Sequence, residues 1–274
     1  MSSDLIRSRS NPLVKRLRAL KQQGANDLLL IEGPKLLEEA LAAGVTLVEA
    51  AASPRVLRHA RGRELVASVG SRCPVRLMDD ELLASLAEVE ASQGVLALAR
   101  RPRFDEARLL SGRPLIVVAV GVQDPGNLGA LLRTAEAAGA TGAFLTGGSA
   151  DAFSWKALRG AMGSAFRLPH VKVRAAAAVI DRLRGAGVRL VGSAPGSEVA
   201  YDTADLRGPL ALFFGSEGSG LPDEVQDALD ERVAIPMAGA VESLNVAVAA
   251  GVLLFEAARQ RRSRSGVEKG YAGS

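Results

Sequence analysis

The sequence predicts an α/β protein in two parts: a small α/β layer, then a mostly parallel sheet flanked by helices. Three observations carry this. Short apolar runs alternate with helix-length amphipathic segments along most of the 274 residues. The run PLIVVAVGV, residues 114–122, is apolar at nearly every position, as a strand buried on both faces of a parallel sheet must be. Between the two parts, RRPRFDEARLLSGRP is charged, carries Pro102 and Pro114, and has little apolar periodicity beyond Leu109 and Leu110.

In chain order, SNPLVKRLRALKQQ reads as a basic helix with Ser10 or Asn11 as its cap and Pro12 in its first turn. DLLLIEGPKLLEEALAAG then offers a strand, a Gly-Pro break and a helix ending at Gly44. The alternation continues through LVEAAAS, a helix around 55–69, PVRLMD, a helix around 81–86, and GVLALAR. Together these predict a first domain over 1–99, a linker over 100–113 and a second domain over 114–262. Further strands of that second domain are expected at GAFLTG, VKV, VRLVGS, ALFFGS and RVAIP. The Gly- and Ser-rich residues 263–274 are expected to be disordered.

Composition narrows the function. Hydrophobic residues are 48% and charged residues 23%, ordinary for a globular protein. The single cysteine, Cys73, excludes an internal disulfide and a Cys-cluster zinc site and fits a reducing compartment. His59 and His170 lack metal-ligand spacing, so no metal is expected. No signal-peptide core or membrane-spanning run is evident, and a cytoplasmic protein is expected. The net charge is only +4, but basic residues crowd both ends, at Arg7, Arg9, Lys15, Arg16, Arg18 and Lys21 and again at Arg259, Arg261, Arg262, Arg264 and Lys269. Both ends are thus candidates for phosphate contact, although such runs are more often solvated faces.

Ligands of open parallel sheets bind beyond the carboxyl ends of the strands, so three loops stand out. In VAVGVQDPGNLGALLRTAEAAGA, Asp124, Pro125 and Gly126 make a turn, Asn127 can cap a helix, and Leu128, Leu131, Leu132 and Ala135 form its apolar stripe. Arg133 and Glu136 point away from that stripe and on composition alone read as a solvated i,i+3 pair. In LALFFGSEGSGLP, three glycines and one carboxylate follow a strand, allowing close approach of backbone to a ligand. It matches neither the GxxxxGK[ST] nor the GxGxxG pattern, so a nucleoside-like ligand without phosphates fits better than a triphosphate. In IPMAGAVESLNVAVAAGVLLF, Ser243 and Asn245 stand at the threshold of a helix apolar on all sides. Burial on more than one side is implied, and a homodimer follows as an expectation.

Taken together, DPGNLGALLRTAEAAGA, FFGSEGSGLP and IPMAGAVESLNVAVAAGVLLFE resemble the three signature motifs of the SpoU (TrmH) family of RNA ribose 2′-O-methyltransferases. WKALRGAMGSAFRLP also looks like that family, and the front segment is similar to its small substrate-binding domain, itself like a ribosomal RNA-binding protein. The resemblance implies a C-terminal trefoil knot, a bent S-adenosylmethionine bound in it, and a homodimer. By motif position it implies Arg133, Asn127, Glu217, Ser243 and Asn245 as catalytic residues. Gly215, Ile235 and Leu244 would hold the cofactor, with Met237 and Ser193 as neighbours. Arg7, Lys15, Arg16 and Arg18 are the candidate contacts to substrate RNA, with ribosomal RNA favoured by the form of the front domain.

A guanidinium is always protonated at neutral pH, so Arg133 is expected to clamp a phosphate and orient the 2′-hydroxyl rather than act as a base. Asn127 and Asn245 suit a role in holding Arg133 or the ribose, and Ser243 both capping and substrate binding. A tRNA methyltransferase and a non-catalytic RNA-binding protein of the same fold are the alternative readings. A dinucleotide enzyme is disfavoured, because VGVQDPGNLGA does not supply the GxGxxG turn it needs.

Overall fold

Leu29 and Ile31 are buried while Leu28, Leu30 and Glu32 on either side of them are half-exposed, and this period of two is what makes the segment a strand rather than a helix. It is one of eleven strands in the computed structural model, which describes residues 2–23, 27–87 and 94–262. The expected tail at 263–274 lies outside the described residues. Contacts divide the chain into two units, one of Met1–Arg103 with Phe153–Arg167, the other of Phe104–Ala152 with Leu168–Ser274.

The first unit runs β1 (Ser2–Ile6), α1 (Pro12–Gln23), β2 (Leu28–Glu32), α2 (Pro34–Ala42), β3 (Leu47–Ala52), α3 (Ala60–Gly70), β4 (Val75–Met78), α4 (Asp80–Ala84) and β5 (Val95–Arg100). Its sheet has the order β1-β4-β3-β5-β2. The first three strands are parallel, and β5 is antiparallel to both β3 and β2. Strand β1 was not expected, because five residues with one apolar pair carry no readable period. Asn11, not Ser10, caps α1, its Oδ1 accepting from the Leu13 amide at 2.9 Å. Leu13, Val14 and Leu17 of α1 then pack with Met78, Leu83, Leu96 and Leu98.

The second unit holds α5 (Glu106–Leu109), β6 (Leu115–Ala119), α6 (Pro125–Ala137) and β7 (Gly142–Thr146). The short helices α7 (Trp155–Ala161) and α8 (Ser164–Arg167) follow in sequence but group with the first unit, where Arg167 pairs with Glu39 of α2 at 2.6 Å. The chain then completes the second unit with β8 (His170–Val173), α9 (Ala176–Gly185), β9 (Arg189–Ser193), β10 (Leu210–Phe214), α10 (Asp223–Gln226), β11 (Glu231–Val233) and α11 (Val246–Arg262). Its six strands, in the order β11-β9-β10-β6-β7-β8, are all parallel. β6, β7 and β10 are buried at every residue, as the continuous apolar runs require.

Two local features depart from the sequence reading. The expected linker contains α5, capped by the Asp105 carboxylate accepting from the Ala107 amide at 3.0 Å, with Leu109 fully buried in the second unit's core. In the C-terminal basic run, Arg261 is committed to main chain rather than open to phosphate. Its guanidinium donates to the carbonyls of Pro114 at 2.6 Å, Gly208 at 2.5 Å and Arg113 at 3.3 Å. Burial, with the nearby Arg113 charge, lowers its pKa to about 10. Arg259 is held by Glu256 on its own helix at 2.7 Å. No helix among the described residues is long and apolar enough to cross a membrane.

His170 is buried on β8, its ring 4.9 Å from that of Phe104 and its Nδ1 3.0 Å from the Leu168 carbonyl. Burial lowers its pKa from the ordinary 6.5. The unfolded chain therefore binds more protons than the folded one just below that value, and stability should fall as pH drops through about 6. Urea unfolding followed across this range should show the decline, and His170→Gln should flatten it. An unchanged slope in the variant would assign the acid sensitivity elsewhere.

Candidate active site

Three chain segments meet through their polar side chains. At the start of α6 the Asp124 carboxylate accepts from the Asn127 amide at 2.9 Å, and Pro125 supplies a first helical residue that needs no hydrogen-bond acceptor. This cap sets the Asn127 side chain at the edge of the helix. There its Nδ2 donates to Oε1 of Glu217, in the loop after β10.

That loop is a tight reversal. The Ser216 amide donates to the Gly220 carbonyl at 3.1 Å, the Gly220 amide returns to Ser216 at 3.0 Å, and the two serine hydroxyls of Ser216 and Ser219 lie 2.8 Å apart. Gly220 has a φ of +66°, open to glycine at little cost. Gly215 is required for a different reason: a Cβ there would fall 2.1 Å from the main chain of Gly220.

The third segment is the entry to α11. Asn245 caps it, Oδ1 accepting from the amides of Ala247 at 3.0 Å and Val248 at 3.4 Å. Its Nδ2 donates to Glu217 Oε1 at 2.9 Å and to Asn127 Oδ1 at 3.0 Å. One side chain therefore both starts the helix and closes the network. Ser243 does not share the capping: it is exposed and has no hydrogen bond among the described residues. The Asn pair grips Glu217 rather than Arg133, which sits exposed on α6 without a hydrogen bond or ion pair among the described residues.

Beside the network lies a cavity of about 410 Å³. Ser193, Gly215, Ile235, Met237 and Leu244 all line it, as do Glu217 and Ser243. Arg133 and Asn127 do not. Gln226 and Glu242 also line it and were not singled out by the sequence, though Glu242 directly precedes the Ser-Leu-Asn stretch. The lining contains two carboxylates and no lysine or arginine. Such a wall disfavours a phosphate and suits a nucleoside carrying a positive centre, while the bare main chain at Gly215 allows its close approach. S-adenosylmethionine, a sulfonium cation without phosphates, fits this chemistry.

Of the candidate RNA contacts, Arg7 and Lys15 are exposed and Arg18 is half-buried. Arg16 is already paired with Glu49 at 3.1 Å, so its charge is partly answered within the fold. Among the described residues no cluster of His, Cys, Asp or Glu is arranged to hold a metal.

The double use of Asn245 is separable by substitution. Asn245→Ala removes the cap and should cost about 1 kcal/mol of stability, whereas Asn245→Asp keeps the cap acceptor and loses the donor to Glu217. Denaturant unfolding at neutral pH in high salt, which screens the added repulsion with Glu217, should thus rank Ala below Asp. Equal losses for both would show that the cap contributes little.

Comparison with known proteins points to one family. Residues 114–255 match the SpoU rRNA Methylase family, and residues 11–97 match the MRM3-like substrate binding domain. An uncharacterised tRNA/rRNA methyltransferase of Synechocystis sp. is 38% identical over 97% of this chain and 98% of its own. The 23S rRNA (guanosine(2553)-2′-O)-methyltransferase RlmP of Bacillus subtilis is 33% identical over 88% of this chain and 92% of its own. Among solved structures, the SpoU methyltransferase AviRb from Streptomyces viridochromogenes in complex with AdoMet superposes with a TM-score of 0.83 at 32% identity, covering 92% of this chain and 99% of that one. With these matches spanning both units and all three loops, the chain belongs to the SpoU rRNA Methylase family.

Proposed function

We propose that this protein methylates a ribose 2′-hydroxyl of RNA, with 23S ribosomal RNA as the substrate, using S-adenosylmethionine. The observation that carries the reading is the joining of Asn127, Glu217 and Asn245 beside a cavity free of basic side chains. The named substrate of the Bacillus relative supports ribosomal RNA over transfer RNA. Such an enzyme works where ribosomes are assembled, in the cytoplasm.

In this reading residues 1–99 engage RNA and residues 114–262 carry the chemistry. Ser193, Gly215, Ile235, Met237 and Leu244 hold the cofactor, in a C-terminal segment threaded as a trefoil knot. When bound, S-adenosylmethionine supplies a methyl group activated by its sulfonium. The chain's own task is to orient the ribose and manage its proton. Arg133, with a planar fork of donors and a permanent charge, fixes the adjacent phosphate and the 2′-oxygen. Asn127 and Asn245 hold Glu217 by one oxygen, Oε1, which leaves Oε2 as the network's acceptor for the hydroxyl proton. Ser243, free of capping, is placed to hydrogen-bond the ribose.

The test is transfer of labelled methyl from S-adenosylmethionine to ribosomal RNA from cells lacking this gene. Wild-type protein should label one alkali-resistant dinucleotide in 23S RNA. Arg133→Lys keeps the charge and loses the fork, and should slow transfer by about tenfold or more with cofactor affinity unchanged. Near-normal turnover in that variant would remove the bidentate role.

Helix α11 supports a homodimer as part of the same reading. Val248 is 53% exposed and Phe255 49% exposed, with half-buried Val252 between them, so the three make a continuous apolar stripe at i, i+4 and i+7. Covering that stripe with a second copy explains a helix apolar on all sides. Sedimentation should show a dimer, and Phe255→Asp should shift it to monomer. A monomeric wild-type protein would refute the assembly.

A further inference from the structure

RNA bases are recognised chiefly by stacking, on aromatic rings or on the flat face of arginine, with phosphates held by cations. The first unit is where the charge for this lies. It carries nineteen Lys and Arg against twelve Asp and Glu, a net charge of +7, while the second unit, with fifteen against eighteen, is −3. Yet residues 1–103 contain no Phe, Tyr or Trp at all. Every aromatic ring of the first unit comes from the later segment that groups with it, at Phe153, Trp155 and Phe166.

Phe166 is buried, but the other two are half-exposed and each lies under an arginine. The Arg159 guanidinium carbon is 4.9 Å from the centroid of the Trp155 ring, and that of Arg101 is 5.6 Å from the centroid of Phe153. Arg159 is exposed and makes no hydrogen bond or ion pair among the described residues, so its donor edge is uncommitted while its plane is held by the ring. Between the stacks, the Ser154 hydroxyl and the Trp155 indole N–H are buried without hydrogen-bond partners. No carboxylate occurs anywhere in Phe153–Arg167.

We propose that Phe153–Arg159, with Arg101, is a stacking surface on which the first unit holds an unpaired nucleotide of its RNA substrate, the base against the Arg159–Trp155 stack and its phosphate on the guanidinium edges. The inference rests on the RNA-methylating function proposed above. It assigns base contact to residues 101 and 153–159 and leaves Arg7, Lys15 and Arg18 as phosphate contacts. A segment encoded within the catalytic part of the sequence thereby completes the substrate surface of the front unit.

Trp155 is the chain's single tryptophan, so its fluorescence reports on this surface directly. Titrating the full-length protein with poly(U) should quench it saturably, and Arg159→Ala should weaken poly(U) binding at least about fivefold. Arg159→Lys, which keeps charge and stem but not the plane, should recover less than half of that loss. It also decides the matter if the alanine variant fails to fold. S-adenosylmethionine binding measured by calorimetry should be unchanged in both. Poly(U) binding without quenching, or with full affinity in Arg159→Lys, would overturn the stacking surface while leaving the methyltransferase reading intact. Loss of wild-type cofactor binding and methyl transfer with quenching preserved would instead strike that reading.

Discussion

The catalytic half depends on one carboxylate oxygen. Oε1 of Glu217 accepts amide donors from both Asn127 and Asn245, and these two are bonded to each other. Asn127 belongs to a helix N-terminus, Glu217 to a glycine-rich reversal and Asn245 to the cap of the last helix, so three loops distant in sequence share one fixed point. A hydrogen bond of this kind contributes about 1 kcal/mol on its own. Its larger effect is on geometry, since the residues it ties lie within or beside the cavity walls at 215–221 and 242–249. The far end of α11 is anchored as well, by Arg261 on the carbonyls that lead into β6 and β10. A helix held at its cap and at its last turn leaves little freedom to the loop before it.

This arrangement explains why two asparagines and not two arginines surround the glutamate. A guanidinium at either position would pair with Glu217 more strongly, but it would bring a fixed positive charge to a cavity whose lining has none. Amides deliver directed donors without charge. The carboxylate keeps its negative field, and that field is compatible with a sulfonium and unfavourable to stray phosphate.

Much of this was legible from the residues, and unevenly. Strands β6, β7 and β10 were readable because burial on both faces leaves an uninterrupted apolar run, as in LIVVA and LALFF, whereas β8 and β11 at the two edges of the sheet are short and only partly buried. The cap at α11 was readable as Asn or Ser but not which, since both accept hydrogen bonds equally well and only the direction of chain entry selects Asn245. The strand Ser2–Ile6 was not readable, being too short for a period. Nor was the grouping of Phe153–Arg167 with the front unit, because sequence order carries no record of which sheet a helix packs on. Its signal lay elsewhere, in a front segment with abundant cations and no aromatic ring. Amide chemistry alone suited the asparagine pair to Arg133 or to the ribose and did not single out Glu217; Asn127 and Arg133 share one helix, but helical geometry turns them to different neighbours, and the pair meets Glu217 from a distant loop.

The distribution of charge follows from what the two ligands are. RNA is a polyanion and binds where cations accumulate, while the cofactor is a small cation that such a field would repel. A single surface cannot attract both. The chain answers this by concentrating +7 in one unit and −3 in the other, so that a total near neutrality conceals two opposite fields. Of the fifteen cations in the negative unit, Arg133 stands exposed on α6 without a hydrogen bond or ion pair among the described residues, as the proposed contact to the phosphate of an arriving ribose would need. Its position on the exposed side of α6, outside the cavity lining, keeps its charge out of the cavity wall, so the proposed RNA contact and the proposed sulfonium site do not compete.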